Sequence, residues 1–357
     1  MKILVWQWGR KGAGPRYAAE LAASLATISG SSATLSLSAQ AELLLGEPKP
    51  NCALPFPTYT GLASLLLRLP ALPFQLPALT ARLQALSPNV AICAMPAVLD
   101  LAMATSLKRA GIPFYVMVHD ADAHPGDDVP FQMPLQRALL RRADGLIALS
   151  EHVATRLREL NLVGNRPLVM TTHPPFVFGA LPPPPRTHNG KLRLLSFGRL
   201  LPYKGLDLLV EALQTLGPRD DLEIRVVGQG PDSPELAALA SLPNVTVENR
   251  WVPESEVGPL LAWSDALVLS HREASQSGVA AAAVAARRWI VATRVGGITE
   301  QLSAEPLARL CEPDAASVAT AITSLLTDPP IDSGNHDPRI VWHDVAAKLV
   351  DDLSVLV

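Results

Sequence analysis

Two stretches place cations, hydroxyls and glycines where an apolar strand gives way to a helix. The first is Leu195-Ser196-Phe197-Gly198-Arg199-Leu200-Leu201-Pro202-Tyr203-Lys204-Gly205-Leu206-Asp207. Its strand ends near Gly198, two cations follow, and a helix begins near Gly205. Cations beside a helix N-terminus suit a diphosphate, because both add positive potential where phosphate oxygens gather. Taken alone, Arg199 and Lys204 would equally suit a solvated surface. The second stretch is Leu269-Ser270-His271-Arg272-Glu273-Ala274-Ser275-Gln276-Ser277-Gly278-Val279, set between an apolar strand and an Ala-rich helix. A small-residue turn that opens a helix lets backbone N–H groups approach an anion closely. Glu273, just past the strand, could accept hydrogen bonds from sugar hydroxyls, or could pair with Arg272 or Arg294 as an ordinary loop carboxylate. Val291-Ala292-Thr293 followed by Val295-Gly296-Gly297-Ile298-Thr299-Glu300 repeats the strand-to-glycine turn.

The elements that must position these residues are short apolar strands alternating with helices. Lys2 to Trp6 reads as a strand, Gly9 to Gly14 as a glycine loop, and Arg16 to Ala26 as a helix with apolar residues at helical spacing. Strands are expected over 89–93, 113–118, 145–149 and 168–172, with Ser150 capping a helix over 151–160. Pro182 to Pro185 stand in a row and mark a linker over 181–189. Beyond it the pattern restarts. Strands are expected over 192–197, 222–227, 245–247, 266–269 and 289–292, and helices over 205–215, 233–240 and 279–286. The alternation predicts parallel sheets covered on both faces, in two α/β domains with a deep cleft between them. The expected boundaries are 1–180, 181–338, and a terminal helix over 339–357. Ligands of open α/β sheets bind outside the carboxyl ends of the strands.

Composition excludes several classes. An apolar share of 48% supplies ample core for two domains, and a charged share of 18% argues against disorder. With 5% aromatic residues and a net charge of −3, neither base-stacking platforms nor a basic footprint for nucleic acid is present. Cys52, Cys93 and Cys311 are odd in number and widely spaced, so they form neither a disulfide framework nor a zinc ribbon. A reduced, cytoplasmic setting is therefore expected. Met1 to Trp6 is too short for a signal-peptide core. No run of about eighteen apolar residues is free of charge and proline, so no segment is expected to cross a bilayer.

The ordered set Gly-Arg, Tyr-Lys-Gly, Val-Gly-Gln-Gly, Arg-Glu-Ala-Ser-Gln-Ser-Gly-Val, Val-Ala-Thr and Gly-Gly-Ile-Thr-Glu resembles the retaining family 4 glycosyltransferases of GT-B fold. The resemblance is strong over the second domain and looser over the first, where it rests on the glycine turn and on Val118-His119-Asp120. It implies transfer of a sugar from a nucleoside diphosphate sugar to a glycan or lipid-linked acceptor, with retention of configuration, in polysaccharide assembly. It implies that Arg199 and Lys204 bind the donor diphosphate and that Glu273 holds hydroxyls of the donor sugar. Gln276, Ser277, Gly278 and Val279 would lie along the sugar and α-phosphate, Gly12 and Gly14 would sit opposite, and His119 would stand by the anomeric centre. One departure is plain. The family's second glutamate, near the start of the following helix, is replaced in every register by Ala280, Ala281, Ala282 and Ala283.

Other readings of these residues stay open. His119-Asp120-Ala121-Asp122-Ala123-His124, with Asp127 and Asp128, could hold a divalent metal or be a polar loop capped by its own aspartates. No metal or other cofactor is expected, because two cations and a helix N-terminus already meet the diphosphate charge. A sugar-nucleotide epimerase of the same architecture is an alternative, as is a catalytically impaired partner subunit. His152, His173, His271 and His343 are expected to be structural or surface residues.

Charge is unevenly divided. Residues 1–180 carry 15 basic and 11 acidic groups, and residues 48–99 contain no acidic side chain at all. Within that span, Leu62 to Leu83 is rich in Leu and Pro, with Arg68 and Arg82 its only charges. Two readings remain: a proline-broken helical pair packed on its own domain, or a surface that rests on anionic lipid at the inner face of a membrane. Val345, Leu349, Leu353 and Val357 give the last helix one apolar face, which would pack on either domain.

Overall fold

Among the described residues the named strands pair parallel to their neighbours, and the helices between them bury the apolar faces of two separate sheets. The computed structural model describes residues 1–46, 48–126, 131–185, 190–332 and 337–357. The chain forms two units. One comprises Met1–Asp122, Val129–Thr172 and Arg339–Val357, and the other Ala123–Asp128 and His173–Pro338.

The first unit runs β1 (Lys2–Gln7), α1 (Ala13–Leu25), β2 (Ser32–Leu37), α2 (Leu62–Arg68), α3 (Leu72–Leu86), β3 (Val90–Cys93), α4 (Asp100–Ala110), β4 (Phe114–Val118), α5 (Gln132–Arg142), β5 (Gly145–Ala148), α6 (Glu151–Glu159) and β6 (Leu168–Met170). Its sheet order is β2-β1-β3-β4-β5-β6. β3, β4 and β5 are buried at every residue, which is why they read as continuous apolar runs rather than alternating ones. Ser150 caps α6, its hydroxyl accepting from the Val153 N–H. β2 escapes the apolar-run signal because Ser32, Thr34 and Ser36 alternate through it. It is nonetheless paired along its whole length with β1, from Lys2 with Ser32 to Gln7 with Leu37.

The second unit runs β7 (Leu192–Phe197), α7 (Leu206–Leu216), β8 (Leu222–Gly228), α8 (Pro234–Ser241), β9 (Val245–Asn249), α9 (Glu254–Trp263), β10 (Ala266–Leu269), α10 (Gly278–Ala285), β11 (Trp289–Thr293), α11 (Gly296–Leu302), β12 (Ala308–Cys311) and α12 (Ala315–Thr327). Its sheet order is β12-β11-β10-β7-β8-β9. The last helix, α13 (Pro338–Leu356), belongs from Arg339 onward to the first unit, where the Trp342 ring lies 5.3 Å from that of Tyr17.

Both sheets reverse strand order once, between β1 and β3 in the first unit and between β7 and β10 in the second. At such a point the loops leaving neighbouring strands diverge to opposite faces and leave room for a ligand at the carboxyl ends. These are two Rossmann-like halves, as the alternation of strands and helices predicts.

One expectation is corrected. Leu62–Leu86 forms a 25-residue helical run whose best 18-residue window has a mean hydropathy of 1.4, so among the described residues one segment is long and apolar enough to cross a bilayer. Proline does not end it. Pro70 lies in a 3-10 turn over Leu69–Ala71, and Pro73 lies in the first turn of α3, where its missing N–H has no helical partner to lose. Pro77 is carried inside α3. Leu79 and Leu83 enter the core of the first unit, and Leu65 and Leu72 pack against it.

Candidate active site

The second unit gathers its chemistry around Tyr203. β7 ends and the chain turns through Gly198, whose φ is +119°. The turn is pressed against the end of β8, where a side chain at Gly228 would lie 1.6 Å from the Gly198 carbonyl oxygen. The glycine of Val-Gly-Gln-Gly is thus required by contact with the loop that carries Arg199. A 3-10 turn over Pro202–Lys204 follows, ending at Gly205 with φ +66°. A Cβ there would meet the Ser270 carbonyl oxygen at 1.9 Å, so Tyr-Lys-Gly is held directly on the loop after β10. Two further bonds fasten the loops together. Arg272 N–H donates to the Tyr203 carbonyl at 2.9 Å, and the Ser270 hydroxyl donates to that of Lys204 at 3.1 Å.

On this frame Arg199 Nη2 donates to the Tyr203 hydroxyl at 2.9 Å, and Lys204 Nζ lies 5.0 Å from the centre of the same ring. The ring of His124 stacks on Tyr203 at 4.7 Å and 18°, and its Nδ1 is 3.0 Å from Glu273 Oε1. Arg272 is paired with Asp207 and Arg294 with Glu312, so Glu273 meets a histidine rather than either arginine.

His271 is buried, and its pKa is held well below the ordinary value, first by burial and then by the charge of Lys204. The neutral ring accepts from the Lys204 ammonium at Nε2, across 2.8 Å. Its proton then sits on Nδ1, which is buried. The Thr293 hydroxyl donates to the His271 carbonyl at 2.6 Å and fixes the backbone at this point. His271 thus holds the Lys204 ammonium from the loop after β10. The sequence signal for it is its place two residues after the carboxyl end of β10, at the point of strand reversal.

Ser277 caps α10, its hydroxyl accepting from the Ala280 N–H at 3.2 Å. Gln301 clamps Ser277 from α11, accepting from its N–H at 2.9 Å and donating to its carbonyl at 3.1 Å. Gln276 Oε1 is buried with no hydrogen-bond partner among the described residues. Gly278 and Val279 form the first turn, and Val279 lies 3.3 Å from where a Cβ on Gly198 would be. The alanines that stand in place of a second glutamate are all buried, and the Phe176 N–H donates to the Ala281 carbonyl at 3.1 Å. A carboxylate at 280–283 would be desolvated in that packing.

In the first unit the turn after β1 is threaded by the buried side chain of Gln7, whose Oε1 accepts from the Gly9 N–H at 3.0 Å. Gly12, with φ +82°, caps α1, and Gly14 is buried against Gln7 and Met95. His119 follows β4, is buried, and stands edge-on to Tyr17 at 5.0 Å. Its Nε2 is 2.8 Å from the Ala94 carbonyl, an acceptor only, so this nitrogen carries the proton. Burial lowers its pKa, and the ring is neutral at neutral pH.

The polar run after His119 is dispersed. Asp122 pairs with Arg137 and Arg156, the Asp120 carbonyl accepts from Gln136, and His124 belongs to the second unit. Asp127 and Asp128 lie outside the described residues. Among the described residues no group of three or more His, Cys, Asp or Glu is arranged to hold a metal ion.

Residues 12–174 match the family model described as a glycosyl transferase 4-like domain, and residues 191–328 match that of glycosyl transferases group 1. The chain belongs to the GT4-like glycosyltransferases. No curated protein matches the glycosyltransferase by sequence. Its fold is similar to sucrose-phosphate synthase from Thermosynechococcus elongatus, with a TM-score of 0.69 and 16% identity over 99% of this chain and 98% of that one. HepE from Anabaena, solved in complex with UDP and glucose, gives a TM-score of 0.66 and 17% identity over 98% and 95%. The UDP-GlcNAc 2-epimerase of Neisseria meningitidis gives 0.59 and 12% over 99% and 100%. At these identities the likeness is one of fold.

Proposed function

We propose that this glycosyltransferase moves a sugar from a nucleoside diphosphate sugar to a glycan or lipid-linked acceptor, with retention of configuration. The observation that carries the donor reading is the convergence of Arg199 and Lys204 on Tyr203, at the strand reversal of the second unit, beside the capped N-terminus of α10. HepE, of similar fold, binds UDP, which supports a nucleotide donor.

In this reading Arg199 and Lys204 bind the diphosphate and stabilise the charge that grows on it as the bond to the anomeric carbon breaks. The first turn of α10 offers N–H groups of Gly278 and Val279 to phosphate oxygens, with Ser277 and Gln276 beside them. Glu273 accepts from hydroxyls of the donor sugar, and donor binding exchanges its bond to His124 for bonds to sugar. In the first unit, neutral His119 stands at the carboxyl end of β4 and Gly12 and Gly14 at that of β1. The charge on the diphosphate is met by side chains and backbone, so the reaction proceeds without a metal cofactor.

The test is a thermal-shift screen of nucleoside diphosphates and their sugars, since a ligand that binds only the folded state raises its apparent stability. A stabilising nucleotide is expected, with the effect reduced in Lys204→Ala. Incubation of the matching nucleotide sugar without acceptor separates transfer from epimerisation. An epimerised donor under those conditions would overturn the transferase reading of this site.

A further inference from the structure

The helical run Leu62–Leu86 buries one stripe and presents another to solvent. Leu65, Leu72 and Leu79 recur every seven residues on the side that meets the core of the first unit, and Leu83 joins them. On the outer side, Leu62 is 73% exposed, Leu66 58%, Leu67 81% and Phe74 85%. Only 6% of the most apolar 18-residue window is buried. Apolar side chains scattered singly over a surface are ordinary, but a contiguous apolar stripe marks an interaction site.

Within this stretch of sequence the charges have one sign. Across residues 48–99 the side chains of Lys49, Arg68 and Arg82 are cationic and none is acidic. Cations also stand at both ends of the run: Arg10 donates to the Thr60 carbonyl at one end, and Lys2 Nζ lies 3.4 Å from the Ser87 hydroxyl at the other. An apolar stripe that carries cations and no carboxylate of its own is complementary to an anionic bilayer surface. Spanning the bilayer would draw Leu79 and Leu83, 3% and 0% exposed, out of the core. The helix therefore lies in the interface instead of crossing it.

We propose that the outer stripe of Leu62–Leu86 docks the first unit on an anionic lipid surface, with Leu66, Leu67 and Phe74 entering the acyl boundary and Arg68 and Arg82 meeting headgroups. Arginine suits this place, because its stem can lie along apolar chains while the guanidinium reaches phosphate. This surface shares no residue with the donor site.

Flotation of the full chain with phosphatidylcholine vesicles, with and without phosphatidylglycerol, tests the proposal. The protein is expected to float with the anionic vesicles at low salt and to be released as salt is raised. The triple substitution Leu66→Gln, Leu67→Gln, Phe74→Gln alters only exposed side chains, so it should leave the melting temperature unchanged and reduce partitioning by at least about a hundredfold. Arg68→Gln with Arg82→Gln should reduce it about thirtyfold and flatten the salt dependence. The nucleotide-induced thermal shift should be the same in all of these variants. Docking on lipid is refuted if the chain stays in solution with anionic vesicles, or if the triple variant floats as the parent does. It is refuted equally if the triple substitution merely turns a self-associated parent into a monomer.

Discussion

Lys204 and His271, 67 residues apart in sequence, form a donor–acceptor pair with Nζ 2.8 Å from Nε2. The histidine can serve only while neutral, and its burial keeps it so. A flexible four-carbon side chain is thereby given one preferred direction before any ligand arrives, which would lower the entropy lost on binding the diphosphate proposed above.

The two cations are expected to carry most of the leaving-group stabilisation. Lys204→Ala and Arg199→Ala should each lower kcat/KM on the order of a hundredfold or more. Steady-state transfer with a fixed acceptor checks this, and near-normal turnover in both variants removes the proposed diphosphate site.

Substituting His271 separates positioning from folding. His271→Gln keeps an acceptor for Lys204, while His271→Leu keeps bulk and loses it. The Leu variant should lose roughly tenfold to a hundredfold in kcat/KM, and the Gln variant should recover much of that loss. Equal activity in the two variants shows that the hydrogen bond does not position Lys204.

His271 also predicts a pH dependence of stability. Its folded pKa lies below the unfolded value of about 6.5, so the unfolded chain takes up this proton first as pH falls. The contribution is present above about pH 6.5 and is lost progressively below it. Comparing melting temperatures from pH 8 to pH 5, the parent should fall more steeply than His271→Gln. Parallel curves count against the buried neutral ring.

Asp100 should show the opposite slope. Burial raises its carboxyl pKa to about 7, although it accepts from the Ala97 N–H at 2.7 Å and from Cys93 Sγ at 3.4 Å. The folded state therefore holds this proton while the unfolded chain releases it near pH 4, and stability is lost as pH rises from about 4 to about 7. Asp100→Asn should melt close to the parent at pH 4 and above it at pH 8. A difference that does not grow with pH overturns the assignment.

Gly228→Ala tests the contact between the two glycine loops. The added methyl would meet the Gly198 carbonyl, and overpacking of this kind costs about 1–3 kcal/mol. A fall of roughly 5 °C in melting temperature is expected, with weaker transfer because the loop carrying Arg199 must shift. An unchanged melting curve would show that the contact is relieved at no cost.

The class of fold was legible in residue type and spacing. Strands buried along their whole length read as apolar runs, so β3 to β5, β10 and β11 stand out without tertiary knowledge, and so does the Ser150 cap. The sequence also showed where the glycine turns lie, because close backbone approach leaves few other choices of residue. β2 was not legible, since its alternating serines and threonine give no apolar run, and only pairing with β1 makes it a strand. Nor was the continuity of Leu62–Leu86 legible: three prolines argue locally for breaks, and packing of Leu79 and Leu83 overrides them. The side-chain partners of the candidate site belonged entirely to tertiary structure. His124 reads locally as one of a polar cluster with Asp120 and Asp122, yet it bonds Glu273, 149 residues away. Hydrogen bonds and ring contacts join groups by position in space, and residue type and spacing carry no record of which distant loop a side chain will meet.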